Sequence, residues 1–452
     1  MEILNSLLQH CRREKVSFHM PGHKNGAAFL GTRFENEWLK MDVTELAGTD
    51  ALSHPHDAIL KSQQYAAALY GAARAFYLVN GSSCGILSMI YAYFREGDQV
   101  LVDRAAHRSV GNAFALCGAV PVYLAPQIDK DYGVPRGITA VQVRQVLEKT
   151  PNIKGIFITS PNYYGFVSEI KEIACIAHEK GIPLLVDEAH GAHFPFDSRF
   201  PENAIRQGAD AAVVSMHKSL PCPNQTALLL LRGANMEQTI FEAVNIFQTT
   251  SPSYILLAYM EAALDFAVKN GKQRTDLLLE QTKPFERYRT QDPFKLLLSF
   301  EKYGLNGYDA ERFLREKYGI YAEMADERNV LLMTSWGNRA EDFRLLSAAL
   351  ADICASEKQL DTGEAQEYFF PEGAAALSPR AVWKREHQWI SVSEAIGKIC
   401  AGSVTAFPPC IPILLPGERI TERQMQVVIN LLQSGRTVDG VENGKICIAK
   451  EM

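Results

Sequence analysis

Residues 154–187, KGIFITSPNYYGFVSEIKEIACIAHEKGIPLLVD, predict a strand, a helix and a second strand in succession. The two outer runs, 154–160 and 182–187, are short strand candidates, and the second, IPLLVD, is almost wholly apolar, which is typical of strands that are buried on both faces of a sheet. The middle run, 168–181, places its apolar residues on one helical face and ends in glycine, a common residue at a helix C-terminus. Strands joined in this way usually run parallel, so the segment predicts one unit of a parallel sheet.

The same alternation of strands and helices extends from about residue 55 to residue 232. It predicts an α/β fold in which helices cover both faces of a large, mainly parallel sheet. The other strand candidates are AFYLV (75–79), QVLVD (99–103), VPVYL (120–124), AAVVS (211–215) and TALLLLR (226–232).

The remainder of the chain predicts further domains. A helical run, SYILLAYMEAALDFAV (253–268), is long enough to connect two domains, and a second α/β pattern begins near Pro293. We therefore expect an N-terminal segment over 1–54, a large domain over 55–285 and a smaller C-terminal α/β domain over 286–452, with a cleft between the two domains.

The composition limits the partners that the protein can have. The chain has 452 residues, 47% of them hydrophobic, and a formal net charge of −6. That charge argues against broad nucleic-acid binding, which needs a surplus of Lys and Arg, and favours a small-molecule partner. The N-terminal apolar stretch is too short for a signal sequence and no run is long enough to cross a membrane, so we expect a cytoplasmic protein. Nine cysteines without a CxxC pair or a Cys/His cluster predict reduced thiols and no metal site.

An aspartate and a lysine follow two of the predicted strands. Asp187 lies in VDEAHGAHF (186–194) and Lys218 lies in SMHKSL (215–220), each at the carboxyl end of a strand, where open α/β sheets bind ligands. A carboxylate that ends an apolar strand is costly unless it meets a cation or strong hydrogen-bond donors, and the protonated ring nitrogen of pyridoxal phosphate would supply a cation. The lysine would then bind the cofactor's aldehyde as a Schiff base. Either residue alone could be structural, but the pair in this order favours the cofactor.

Hydroxyl groups and a helix N-terminus provide the expected phosphate site. VNGSSCG (79–85) ends a strand before a helix and contains Ser82 and Ser83. The exposed N–H groups and the helix dipole favour an anion there, although a serine-rich helix start is also common without any ligand. Together with Ser215 and His217, these groups give the phosphate a complete set of donors.

A histidine follows a further strand end. His107, in DRAAHRSV (103–110), is expected at the same edge of the sheet, where its imidazole could stack on the planar cofactor ring. A lone histidine is more often structural, so the stacking role depends on this position.

Nine segments carry a family resemblance. They are HMPGHKNG (19–26), DVTELAGTDAL (42–52), NGSSCG (80–85), RAAHRSV (104–110), SPNYYGF (160–166), LLVDEAHGAHF (184–194), SMHKSL (215–220), TTSPSYILLA (249–258) and FPPCIPILLPGE (407–418). In these segments the chain resembles the Orn/Lys/Arg decarboxylase family of fold-type I pyridoxal-phosphate enzymes. The resemblance implies decarboxylation of arginine, lysine or ornithine to a polyamine-pathway amine and CO₂. It is closest to short members without an N-terminal wing domain, so the ring-like assembly of the longer members is not expected.

The resemblance also implies a role for each site residue. Lys218 would form the Schiff base, Asp187 would pair with the ring nitrogen and His107 would stack on the ring. The residues that would bind the cofactor are Ser82, Ser83, His107, Asp187, Ala189, His190, Ser215, His217, Lys218 and Thr249.

Two of the implied roles concern the partner subunit and the substrate. Thr249, in the TTSP segment, would reach the phosphate of the neighbouring subunit, which predicts a homodimer with its sites at the interface. Glu418 would lie near the distal amine of the substrate, unless it only ends a Pro-Gly turn on the surface.

Three positions depart from the family pattern. Cys410 replaces a usual glycine, Asn224 replaces a usual threonine and Cys84 replaces a usual second hydroxyl. They leave the cofactor chemistry unchanged and put the substrate preference in doubt.

Two other functions stay open on the sequence alone. Another reaction on the same fold and cofactor, such as transamination or a lyase step, is the first, because fold does not decide function. An aminotransferase usually needs an arginine to clamp the α-carboxylate, and Arg380 is the candidate here. A catalytically silent homologue is the second, and the presence of both Lys218 and Asp187 argues against it.

Overall fold

The computed structural model describes residues 1–13, 24, 30, 36–355, 373–406, 412–433 and 437–450. Most of the HMPGHKNG segment lies outside the described residues, as do residues 407–411, which include Cys410.

The chain divides into two compact units. The first unit contains Met1–Ala92 and Asp187–Asp276, and the second contains Tyr93–Val186 and Leu277–Met452. The domain boundaries that the sequence predicts, after residues 54 and 285, stay a prediction.

The described helices span most of the chain. In chain order they are α1 (Glu2–Arg13), α2 (Ala58–Tyr70), α3 (Gly81–Tyr93), α4 (Arg108–Cys117), α5 (Ala140–Lys149), α6 (Ile170–Glu179), α7 (Met216–Ser219), α8 (Glu237–Phe247), α9 (Tyr254–Gln281), α10 (Gly307–Tyr318), α11 (Ala340–Ala355), α12 (Pro379–Trp383) and α13 (Glu422–Gln433). Within the described residues, every helix is either too short or too polar to form a membrane span.

The described strands alternate with these helices. In chain order they are β1 (Arg74–Leu78), β2 (Gln99–Asp103), β3 (Val120–Leu124), β4 (Ile153–Thr159), β5 (Leu184–Asp187), β6 (Ala211–Ser215), β7 (Ala227–Leu231), β8 (Lys295–Ser299), β9 (Met324–Ala325), β10 (Asn329–Met333), β11 (Gly373–Ala374), β12 (His387–Ser391), β13 (Ile399–Cys400), β14 (Val404–Ala406), β15 (Pro412–Leu414), β16 (Val438–Asp439), β17 (Val441–Glu442) and β18 (Lys445–Ala449).

The second unit contains the parallel strands that the sequence predicts. Strands β5, β4, β2 and β3 are adjacent in that order, followed by the short strand β11. Strand β2 runs parallel to both β3 and β4. Helices α4, α5 and α6 provide the connections between successive strands from β2 to β5, as parallel neighbours require. The division between the units falls inside β5, so Asp187 belongs to the first unit.

The first unit departs from the parallel arrangement at β7. Strands β1, β7 and β6 are adjacent in that order, and β7 runs antiparallel to both of its neighbours. Only residues 216–226 join β6 to β7, and this link is shorter than the crossover that a parallel neighbour usually needs. The sheet is therefore mainly parallel, as predicted, with an antiparallel strand that the apolar pattern did not reveal.

The C-terminal part of the second unit contains smaller antiparallel sheets. Strands β8, β10 and β9 form one sheet, and β15, β14 and β16 form another. Leu414, Val428 and Ile446 belong to a buried core in this part of the chain. This confirms that a further α/β region follows Pro293.

Candidate active site

The backbone after β5 lies beside β6 and fixes the surroundings of Asp187. Asp187 is buried, and its Oδ1 accepts a hydrogen bond of 3.1 Å from the N–H of Ala189. The N–H of Glu188 donates to the carbonyl of Val213 at 2.9 Å, and the N–H of Ser215 donates to the carbonyl of Ala189 at 3.2 Å. These bonds bring Asp187 and Ala189 close to the end of β6, where the second predicted motif begins.

Lys218 lies in the short helix α7, directly after β6. The N–H of Met216 donates to the carbonyl of Thr226 at 3.0 Å, which anchors the start of this helix. The Lys218 Nζ lies 3.1 Å from Nε2 of the buried His190. An ammonium group only donates hydrogen bonds, so His190 accepts through an unprotonated Nε2 when Lys218 is charged. The structure thus brings together two residues that the sequence predicted to contact the cofactor.

His217 faces the other side of the same turn. Its Nδ1 lies 3.1 Å from the carbonyl oxygen of Thr226, so Nδ1 carries the proton. Burial lowers the pKa of the His217 imidazole, the carbonyl of Thr226 opposes this shift, and the charge of Lys218 lowers the pKa further. The neutral ring therefore has its Nε2 available as an acceptor.

Ser215 is a buried hydroxyl group without a partner. Its side chain is fully buried at the start of α7, and its Oγ has no hydrogen-bond partner within the described residues. A hydroxyl that is buried without a partner costs about 1–3 kcal/mol, so a ligand that satisfied it would bind more tightly. A phosphate oxygen would satisfy it.

Ser82 and Ser83 lie in the first turn of α3, which begins at Gly81. Gly81 has φ of +74°, a left-handed conformation that glycine adopts without steric cost. At Gly85 a Cβ atom would lie 2.6 Å from a methyl group of Val213. A glycine there lets α3 pack closely on β6, so the helix N-terminus and its two serines are held in place.

His107 belongs to the second unit, at the point where β2 leads into α4. It is the N-cap of α4, and its Nδ1 accepts from the N–H of Ser109 at 3.3 Å and lies 2.8 Å from the Ser109 hydroxyl. The residue is exposed, so its ring can meet a ligand. The predicted stacking role stays a prediction.

Glu418, also in the second unit, is buried in an ion pair. Its Oε1 lies 3.0 Å from Nε of Arg104 and its Oε2 lies 2.9 Å from Nη2, so the ion pair is bidentate. The N–H of Leu415 also donates to Oε2 at 2.9 Å. Arg104 is fully buried and Glu418 is 7% exposed, so the alternative of a surface turn is wrong. Its role toward the substrate stays a prediction, since both oxygens already have partners.

Arg380 is engaged by backbone and side-chain acceptors of the second unit. Its guanidinium donates to the carbonyls of Ala115 and Leu116, near the C-terminus of α4, and pairs with Glu96 at 3.1 Å. A cation at a helix C-terminus is a common stabilising arrangement. This setting gives Arg380 a structural role and weakens the case for a carboxylate clamp.

Residues 2–290 match the family model for the major domain of Orn/Lys/Arg decarboxylases, and residues 364–440 match the model for their C-terminal domain. The chain belongs to the Orn/Lys/Arg decarboxylase family. It is accordingly a pyridoxal-phosphate-dependent amino-acid decarboxylase whose substrate class is the basic amino acids.

Relatives and solved structures agree with this membership. The decarboxylase is 34% identical to an arginine decarboxylase of Bacillus anthracis, over 98% of this chain and 95% of the relative. It is 33% identical to an arginine decarboxylase of Bacillus subtilis, over 98% of this chain and 96% of the relative. The solved constitutive lysine decarboxylase of Escherichia coli shares the fold, with a TM-score of 0.84 and 18% identity over 99% of this chain and 82% of that one.

The residues of the first unit fit the cofactor of this family. Lys218 presents an amine, Asp187 presents a buried carboxylate and Ser215 presents a hydroxyl without an internal partner. These are the three kinds of group that an aldehyde, a protonated ring nitrogen and a phosphate require.

Sequence reasoning missed Glu188, the acidic neighbour of Asp187. Burial raises the pKa of the Glu188 carboxyl well above its usual range. The hydrogen bond from the N–H of Ala204 lowers this pKa, and the charge of Asp187 raises it. The Glu188 Oε1 accepts that N–H at 2.8 Å, and its Oε2 has no partner among the described residues. Burial in this setting favours the neutral form of the carboxyl. The signal was visible as two adjacent acids at the end of an apolar strand.

The departures from the family pattern have different settings. Burial raises the pKa of the Cys84 thiol to about 11, so this side chain packs as a small neutral group inside α3. Asn224 is exposed in the link between α7 and β7.

Proposed function

We propose that the decarboxylase converts arginine to agmatine and CO₂. The observation that carries the cofactor chemistry is the contact of 3.1 Å between Lys218 Nζ and His190 Nε2, beside the unpartnered hydroxyl of Ser215. The choice of arginine is supported by the two relatives that match nearly the whole chain at 33–34% identity and are named arginine decarboxylase. An amine product of this kind would enter polyamine synthesis.

Each residue of the site has a proposed task. Lys218 holds the cofactor through its aldehyde carbon, Asp187 keeps a proton on the ring nitrogen and His107 stacks on the ring. Ser82, Ser83, Ser215 and His217 bind the phosphate, and Ala189 and His190 line the cofactor. When bound, pyridoxal phosphate draws electrons from the substrate's Cα through its protonated ring.

The chain's own groups then direct the reaction. The buried Asp187 carboxylate is stabilised by a neighbouring cation, so it would favour the protonated ring. The site would also have to hold the substrate in one orientation, because the bound orientation decides which group on Cα reacts. After CO₂ leaves, Lys218 supplies a proton to Cα, and His190 lies close enough to exchange a proton with this amine.

We further propose a homodimer in which Thr249 reaches the partner's phosphate. Thr249 is exposed, just after α8, and its Oγ1 accepts from the N–H of Ser251 at 3.2 Å. Its hydroxyl proton therefore stays available to an acceptor on another subunit.

The test is product analysis with a panel of amino acids. Purified enzyme with pyridoxal phosphate is incubated with arginine, lysine, ornithine, glutamate and leucine, and the amines are identified by mass spectrometry. The expected result is agmatine as the main product, with none from the Lys218→Ala variant. A diamine as the main product would move the substrate to lysine or ornithine, and a keto acid would show an aminotransferase instead.

A further inference from the structure

The side chain of Gln248 pairs with the edge of strand β1. Its Oε1 accepts a hydrogen bond of 2.9 Å from the N–H of Val79, and its Nε2 donates to the carbonyl of Tyr77 at 3.3 Å. These two backbone groups lie two residues apart and so point to the same side of the strand. The amide thereby pairs with β1 as the N–H and C=O of one residue in a neighbouring parallel strand would, at the end of the described strand order.

This amide lies between two segments that are expected to bind phosphate. Val79 directly precedes the turn that leads to Ser82 and Ser83, and Gln248 directly precedes Thr249. A second link joins the same segments, since Nδ2 of Asn80 donates to the carbonyl of Phe247 at 3.4 Å.

Both ends of this link are held firmly. The N–H of Gln248 donates to the carbonyl of Val244 at 2.8 Å, which fixes its backbone to α8. The N–H of Gly81 donates to the carbonyl of Gln225 at 2.8 Å, so the turn is also anchored on its far side. Val79 is 4% exposed, and without the Gln248 amide its N–H would lack this partner in a place that water scarcely reaches.

We propose that Gln248 is a positioning residue for phosphate binding on two subunits. It fixes the turn that presents Ser82 and Ser83 to the cofactor of its own subunit. Through the adjacent backbone it also fixes Thr249, which is offered to the partner. This inference rests on the proposed function, because it assumes a bound pyridoxal phosphate and a dimer.

The first experiment compares ligands with and without the phosphate group. Pyridoxal phosphate and pyridoxal are titrated separately, and the adduct at Lys218 is trapped with borohydride and measured by mass spectrometry. Gln248→Met keeps the length of the side chain and removes both hydrogen bonds. The matched control is Gln238→Met, because Gln238 lies on the same helix α8 and its Nε2 donates to the exposed Glu242 at 2.8 Å.

For Gln248→Met, half-maximal trapping of pyridoxal phosphate is expected at about a tenfold higher concentration, the usual effect of one or two lost hydrogen bonds. Trapping of pyridoxal should be unchanged, and the control should match the wild type for both ligands. If Gln248→Met also matched the control, or lost both ligands equally, the inference would be overturned. If the wild type trapped neither ligand, the proposed function itself would fail.

Two further variants keep the test decisive. Gln248→Glu retains an acceptor for Val79 and loses the donor to Tyr77, so it serves if Gln248→Met does not fold. It should also bind pyridoxal phosphate more weakly and leave pyridoxal unchanged.

A hybrid dimer tests the role on two subunits. In a hybrid of Gln248→Met and Lys218→Ala subunits, one site keeps Lys218, and that site has a weakened turn and an intact Thr249 from its partner. Its apparent affinity should lie between the wild type and the Gln248→Met homodimer; equality with either would overturn the two-subunit role.

Discussion

Two clusters of buried polar groups follow strand ends in this decarboxylase, and they differ in how completely they are satisfied. In the first unit, the cluster after β5 and β6 includes a Ser215 hydroxyl and a Glu188 oxygen without partners among the described residues. In the second unit, Arg104 follows β2 and forms a bidentate ion pair with Glu418. Two further N–H groups of Arg104 donate to the carbonyls of Pro412 and Ile413 at 3.0 and 3.2 Å.

The difference separates groups that await a ligand from groups that support the fold. A buried polar group without a partner destabilises the protein, so it persists where a ligand satisfies it. A buried pair that satisfies itself needs no ligand and depends on both members. Substitutions in the first cluster should therefore change cofactor binding more than stability, and substitutions in the second should do the reverse.

The largest expected effect is that of Lys218→Ala. Borohydride should trap no cofactor in this variant, and steady-state turnover should fall to background, because the amine that would bind the cofactor's aldehyde is removed. The measurement is mass spectrometry of peptides after borohydride treatment, together with product formation. Lys269→Ala is the control, since Lys269 pairs with Asp265 at an exposed site. Cofactor trapped at a different lysine of the wild type would refute the assignment.

The next effect concerns the Arg104–Glu418 pair. Glu418→Gln leaves a buried guanidinium without its charge partner and should lower the free energy of unfolding by about 3–5 kcal/mol. Denaturant unfolding measures this, and Glu386→Gln is the control, because Glu386 pairs with Lys450 on the surface at 2.8 Å.

Kinetics of the same variant separate the structural role from the substrate role. If Glu418 also recognised the distal cation of a basic substrate, KM for that substrate would rise while the cofactor spectrum stayed normal. Full stability combined with a raised KM would contradict the supporting role. An unchanged KM with reduced stability would rule out the substrate role instead.

The sequence indicated the first cluster better than the second. Apolar runs such as 211–215 predict strands, and their ends locate Asp187 and Lys218, because parallel strands end at one edge of a sheet. Arg104 and Glu418 are 314 residues apart and Val79 and Gln248 are 169 apart, so only the folded chain reveals these contacts. The antiparallel direction of β7 was also hidden, since an apolar run does not show its own direction.

Ser215→Ala should have a smaller effect, in which the affinity for the cofactor falls while the stability of the apo protein is kept or slightly raised. The fully buried hydroxyl has no partner within the described residues, so its removal should leave the apo protein as stable or slightly more stable. The affinity for pyridoxal phosphate should fall about tenfold, because one phosphate contact is lost. Thermal unfolding with and without cofactor measures both changes. A less stable apo protein with unchanged cofactor affinity would place Ser215 among the structural groups.

The smallest expected effect is the pH dependence of phosphate binding through His217. Burial lowers the pKa of this imidazole in the apo protein below its usual value of about 6.5, so the ring is neutral at pH 7.5. Nδ1 donates to the Thr226 carbonyl, so Nε2 can donate to a phosphate only if the ring takes up a proton.

A phosphate dianion beside the ring favours the protonated form and raises this pKa in the complex. Binding therefore takes up protons between the two pKa values, and affinity should rise severalfold as the pH falls from about 8.5 to about 6.5. Below about pH 6 the phosphate itself takes up a proton and the gain should stop. The measurement is calorimetric titration with 4′-deoxypyridoxine phosphate, which has no aldehyde and so forms no bond with Lys218. Repeating the titration in buffers of different ionisation enthalpy gives the number of protons taken up on binding. His217→Gln should take up fewer protons than the wild type; equal uptake by the two proteins would show that His217 does not donate to the phosphate.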